Sequence, residues 1–339
     1  IAFSIGGEFR ISNIKQIGTS SITITFFQAC LATLLVDAAL LACSFPAPLS
    51  LTLGAIAAAT APAATLMVVR QYHAKGEVTS TLLPVVAMDD AVGLMLFSIS
   101  LPISQALASN ATLTVTSMLL QPLLEIGLSL AVGAGIGLLI ALAMRFFHSK
   151  VNRISVAVAA VLLGSALASI WNLSSLLLCM AIGAVLVNLR NDADELLEIT
   201  DAWTPPLFML FFVLSGAELD LAVVPTVGLL GVVYMVARSL GKYFGSFLGA
   251  TIAKSSPNIR KYLGLTLLPQ AGVAIGMAQV ALNALPEYGT QIQAVVLTAT
   301  LIYELIGPVI TKLALTAAGE IQDSKKSKAK TEQSAGGAK

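Results

Sequence analysis

Two adjacent carboxylates, Asp89 and Asp90, sit inside an otherwise apolar stretch from Leu82 to Ser104, about as long as a bilayer core is thick. A carboxylate at that depth costs on the order of 3 kcal/mol on insertion scales, so an intramembrane Asp points to ion or proton binding before it points to packing. Of the 19 Lys and Arg residues, only Arg238 and Lys242 fall mid-depth in an apolar segment, and their spacing of four puts both on one helix face. Gly241, Gly245 and Gly249 follow the same spacing and would let a neighbouring backbone approach closely. The acids expected at matching depth are Asp89, Asp90 and Glu304, so pairing of Lys242 and Arg238 with acids on other helices is the cheapest arrangement.

Two further apolar segments are interrupted. In Thr60-Ala61-Pro62 the proline ring opposes the carbonyl of Ala58, and in Leu268-Pro269-Gln270 it opposes that of Leu265. Interrupted spans in matching places of two halves point to a transporter's midplane site, where freed carbonyls and half-helix ends face the ion. Thr60 would offer a hydroxyl to a partly dehydrated cation there, and Gln270 an amide.

The elements that must position these groups are membrane helices. The chain is 57% hydrophobic and 11% charged, against roughly 25% charged in an average soluble domain, and its mean hydropathy is +0.88. A net charge of +1 gives no field that would favour nucleic acid or an acidic substrate. Cys30, Cys43 and Cys179 lack ligand spacing and read as small hydrophobes. Hydropathy predicts about ten spans, near 18–43, 49–69, 79–104, 117–144, 152–170, 174–189, 205–217, 225–253, 262–284 and 290–316. Alternate loops collect the cations (Arg10 and Lys15; Arg70 and Lys75; Arg145, Lys150 and Arg153; Arg190; Lys254, Arg260 and Lys261; Lys312) and the intervening loops hold none. That pattern places the first loop and the C-terminus in the cytoplasm. The first three spans and the last three then form triplets of opposite topology, each with a broken middle member, which is an inverted repeat. The opening Ile1 to Gly6 reads as the tail of a helix whose upstream residues are missing.

Several features carry less chemistry. Trp171 and Trp203 fall at span ends, as interfacial anchors do. The five acids between Arg190 and Asp201 read as a solvated amphipathic connector that could also attract cations or respond to pH. His73 and His148 lie in cytoplasmic loops, Asn110-Ala-Thr112 fits a glycosylation acceptor, and residues 318–339, rich in Lys, read as a disordered cytoplasmic tail.

Four stretches together resemble the monovalent cation:proton antiporter superfamily, the sodium/proton and potassium/proton exchangers. They are Gly54 to Pro62, Met88 to Val92, Gly241-Lys242-Tyr-Phe-Gly245 and Leu268 to Gly276, and Tyr303 to Pro308 is similar to the family's last span. The resemblance implies an all-α polytopic membrane fold with two crossing discontinuous helices and further N-terminal helices. It also implies a transport core at 18–146 and 225–316, scaffold or dimer helices at 152–217, and a homodimer in the plasma membrane. Asp90 would bind the transported ion and Asp89 would pair with Lys242. Many relatives carry an Asp where this chain has Ala61 and an Arg where it has Gln270. Sodium or potassium would exchange for protons by competition at Asp90, without a cofactor and without enzyme chemistry. A sodium-coupled symporter of organic solutes, an intramembrane aspartic protease and a channel are the competing readings.

Overall fold

Apolar segments without access to water must satisfy their backbone groups internally, and among the described residues the chain is helical with no strand. The computed structural model describes residues 2–7, 9–12, 18–109, 121–147, 149–171, 173–190, 192–203, 205–217 and 228–321. His148, Asn110-Ala-Thr112 and the tail from 322 onward lie outside them. The helices are α1 (Ala2–Gly7), α2 (Thr19–Ala42), α3 (Ala47–Ala57), α4 (Pro62–Gln71), α5 (Glu77–Ala108), α6 (Gln121–Ala143), α7 (Lys150–Trp171) and α8 (Ser175–Leu189). They continue with α9 (Ala193–Trp203), α10 (Pro205–Ala217), α11 (Gly228–Ile252), α12 (Pro257–Tyr262), a 3-10 turn at Leu263–Leu267, α13 (Gly272–Ala284) and α14 (Gly289–Ala317).

Six spans are long and apolar enough to cross a membrane, among them Ala47–Gln71, which unites α3 and α4; the pair Pro257–Leu267 and Gly272–Ala284, bent by 49°, makes a seventh. The remaining expected spans fall short for two reasons. In α11 the charges of Arg238 and Lys242 dilute 25 residues of otherwise apolar helix. The predicted spans 174–189 and 205–217 form helices of only 15 and 13 residues, about 20 Å of rise each against a core of about 30 Å.

The glycine ridge of α11 sets the central packing. A Cβ on Gly241 would lie 2.5 Å from Ala32 Cα, one on Gly245 2.6 Å from Gln28 Cα, and one on Gly249 2.8 Å from Ile24 Cα. The partner number falls as the α11 number rises, so α2 and α11 pack antiparallel at backbone contact. Each leads one triplet, and the two triplets therefore run in opposite senses through the molecule.

Three apolar clusters organise the helices. One gathers α2, α3, α5, α11, α13 and α14 with Ala2 of α1 and Leu177, Cys179 and Met180 of α8; a second gathers α6 to α9 with Phe3 of α1; a third, around Val78, Leu82, Leu263 and Leu315, joins α5 to the 3-10 turn and α14. Helix α6, expected with the transport core, packs closely on α8, where Gly133 and Gly137 abut Leu178 and Val185. The chain also stays folded past 317, where the tail was expected to begin. Gly319 takes a left-handed φ of 79°, and Glu320 N–H closes back on Leu315 O at 2.9 Å. The turn delivers the Glu320 carboxylate to the N-terminus of α5, where it accepts from Val78 N–H (2.6 Å), Thr79 N–H (2.8 Å) and Thr79 Oγ1 (2.7 Å).

Candidate ion site at the broken helices

Helix α3 stops at Ala57 and the next begins at Pro62, where the missing proline N–H costs nothing because the first turn has no intrahelical partner for it. The second break, Leu268 to Ala271, lies directly against the first. Ala61 N–H donates to Pro269 O at 2.9 Å, Gln270 Nε2 to Ile56 O at 3.1 Å, and Thr65 Oγ1 to Thr266 O at 3.2 Å.

Both cations of α11 are fully buried at this junction. Arg238 donates to Ala57 O (3.1 Å), Ala59 O (2.8 Å) and Leu268 O (2.7 Å), and its guanidinium lies 4.5 Å from the centre of the Tyr303 ring. Backbone carbonyls released by the breaks thus take the place of the acid expected opposite Arg238. Lys242 Nζ reaches Asp89 Oδ2 at 2.9 Å and Thr60 Oγ1 at 2.8 Å, and it also donates to the Ala58 carbonyl that Pro62 leaves free.

Asp89 accepts two more hydrogen bonds, from the Thr60 hydroxyl and from Gln28 Nε2, so three side chains hold its carboxylate. Asp90, 5% exposed, is placed differently. Its carboxylate faces the Thr60 backbone N–H, and Oδ1 is buried with no hydrogen-bond partner. The structure therefore gathers Thr60, Pro62, Asp89, Asp90, Arg238, Lys242, Pro269 and Gln270 in one place.

Glu304 stands apart. It is half-buried on α14, no cation lies within ion-pair distance among the described residues, and Oε1 has no hydrogen-bond partner. Its neighbour Tyr303 makes the contacts instead, donating to Met235 O at 2.7 Å beside Arg238. Gln28 and Tyr234 are further members that sequence reasoning missed. Tyr234 Oη lies within hydrogen-bond distance of both amide atoms of Gln270. Gln28 was signalled only as an amide in an apolar span. Asp37 was overlooked as a third acid in the first triplet, and its buried Oδ1 packs on Gly54 of α3.

Residues 1–317 match the family described as sodium/hydrogen exchanger, transmembrane. The chain belongs to that family. Among solved structures it is similar to the sodium proton antiporter MjNhaP1 of Methanocaldococcus jannaschii at pH 8, with a TM-score of 0.70 and 20% identity over 93% of this chain and 83% of that one. The electron-microscopy map of the same antiporter gives a TM-score of 0.70 and 20% identity, covering 95% of this chain and 84% of the other. At that identity the likeness is one of fold. No curated protein matches the chain. As a sodium/hydrogen exchanger the protein is a membrane transporter that antiports cations and protons without a cofactor, which sets aside the protease, symporter and channel readings.

Proposed function

We propose that the exchanger carries sodium and protons alternately on Asp90, with potassium as the competing cation. The observation behind this reading is the contrast between the two aspartates: Asp89 is saturated by Lys242, Thr60 and Gln28, whereas Asp90 Oδ1 is buried without a partner. A buried carboxylate in that condition is stabilised by either a proton or a cation, and binding of one displaces the other. Sodium is favoured over potassium because the similar solved fold is that of a sodium proton antiporter. Thr60 and the carbonyls at the two breaks supply neutral oxygens to the dehydrated ion, while Asp89 and Lys242 hold the junction together.

In the same reading the face carrying Arg70, Lys75, Lys254, Arg260, Lys261 and Lys312 is cytoplasmic, following the positive-inside rule. The C-terminus is then also cytoplasmic, in the plasma membrane. The triplets 18–109 and 228–317 form the moving core, and α6 to α10 form the scaffold that pairs in a homodimer.

Purified protein in liposomes with an imposed pH gradient provides the test. Sodium should dissipate the gradient at lower concentration than potassium, and Asp90→Asn should abolish the response while the variant keeps its helical circular dichroism. Near wild-type exchange by Asp90→Asn would overturn the assignment.

A further inference from the structure

A cavity of about 560 Å³ opens between α5, α6, α7, α8 and α13. It lies at the ends of α5 and α13 remote from the Lys- and Arg-bearing face, and Gln105 and Asn283, both exposed, stand on its lining. Its walls are built from the first two apolar clusters, so it sits on the seam between the proposed core and scaffold.

The wall is tied together by hydroxyls. Ser98 Oγ of α5 lies 3.1 Å from Ser174 Oγ, Ser174 N–H donates to Ser129 Oγ at 3.1 Å, and Ser129 Oγ donates to the Glu125 carbonyl at 2.6 Å. The side chain of Glu125 is the one titratable group among the described lining residues, and no Lys or Arg joins it there. No cation lies within ion-pair distance of Glu125 among the described residues. A lone carboxylate in a concave wall of low dielectric focuses a negative field on the space in front of it.

The cavity also shares a helix face with the proposed carrier. Phe97, on its lining, follows Asp90 by seven residues, which is nearly two helical turns and about 10 Å along the same face of α5. Phe97 is itself buried, at 2% exposed.

We propose that this cavity is the outer vestibule of the exchanger and that Glu125 is its cation-recruiting residue, drawing in partly hydrated monovalent cations whose water is exchanged for the wall's hydroxyl and amide oxygens. The inference rests on Asp90 being the carrier. Glu125 does not hold the ion during transport; it sets the cation concentration at which the outward-facing site fills.

The experiment compares right-side-out with everted membrane vesicles, reading the half-saturating sodium concentration and the maximal rate of sodium-driven proton movement. Glu125→Gln should raise the half-saturating concentration about fivefold on the vestibule side, the scale of one partly screened charge, with the maximal rate and the opposite side unchanged. Glu125→Asp should restore most of the difference. Gln105→Lys, which places a repelling charge on the exposed rim and leaves Glu125 intact, should shift the same side in the same direction. High choline chloride should shrink both effects. A half-saturating concentration on the vestibule side that stays at the value of the unaltered protein in both Glu125→Gln and Gln105→Lys, with exchange intact, would overturn the vestibule and leave the Asp90 reading standing. Absence of sodium-driven proton movement in the unaltered protein would overturn both.

Discussion

Asp89 and Asp90 are sequence neighbours with opposite surroundings, and the difference follows from the 100° that separates consecutive residues on a helix. One carboxylate turns toward Lys242 and Gln28, where donors saturate it, and the other toward Thr60, where it keeps an unpartnered oxygen. Removing one member of a buried pair leaves the other charged and unpaired, at a cost of roughly 3 to 5 kcal/mol. Lys242→Ala also strips a donor from the Ala58 carbonyl and from Thr60. It should therefore lower the melting temperature far more than Lys254→Ala, a change at an exposed loop residue; equal melting temperatures would argue against the pair's contribution. The approach of Lys242 to Asp89 could be anticipated because both are charges at one depth with a glycine ridge beside them. The setting of Arg238 could not. Its acceptors are main-chain carbonyls, which every residue carries, so no residue type marks them in a sequence.

At the scale of elements, hydropathy locates apolar runs well and says little about which neighbour takes each apolar face. Helix α6 is the case in point: expected with the first triplet, it turns its glycines to α8, a contact that no periodicity reveals. Helix α9, by contrast, is docked by charge. Arg153, 7% exposed, bonds Asp192 and Glu195 at 2.8 Å each, Arg190 bonds Asp192 at 2.8 Å, and Arg10 reaches Asp194 at 2.6 Å. The hydrogen bonds from Arg190 are the largest cause holding the Asp192 carboxyl below the usual carboxylate range, with the charges of Arg190 and Arg153 adding to them. A carboxylate whose folded value is depressed stabilises the fold above its unfolded value near 3.9, and that contribution is lost as the pH falls through the folded value. Asp192→Asn should accordingly cause a modest drop in melting temperature that is constant from about pH 5 to pH 9 and closes below about pH 3.9. The pH midpoint of exchange should not move in that variant. A shifted midpoint would give the acidic connector the pH-sensing role that its sequence allowed.

For the whole molecule, the contact that no sequence signal announced is the one between the end of α14 and the start of α5. Glu320 caps α5, the helix that carries both aspartates, and Ile321 is buried beside it in a cluster with Val78, Leu82 and Leu315. Gly76 serves this approach, since a Cβ there would fall 2.3 Å from Glu320 Cδ. Loss of an N-terminal cap costs about 0.5 to 2 kcal/mol. Glu320→Ala should lower the melting temperature on that scale and speed amide exchange at Val78 and Thr79. A chain ending at 321 should behave as the full chain does, and one ending at 317 should behave like Glu320→Ala. Glu320 was hidden because a cap is recognised next to the helix it serves, and this one arrives from 241 residues away. The same contact turns α14 into a measuring rod. The helix begins at Gly289 on one side of the protein and must set Glu320 down on the other, beside α5. One residue added within it would swing the carboxylate through about 100° and advance it by about 1.5 Å, out of reach of the amides it serves. Point substitutions along the lipid-facing side would leave that register untouched, so length in this helix is constrained where side-chain identity is free.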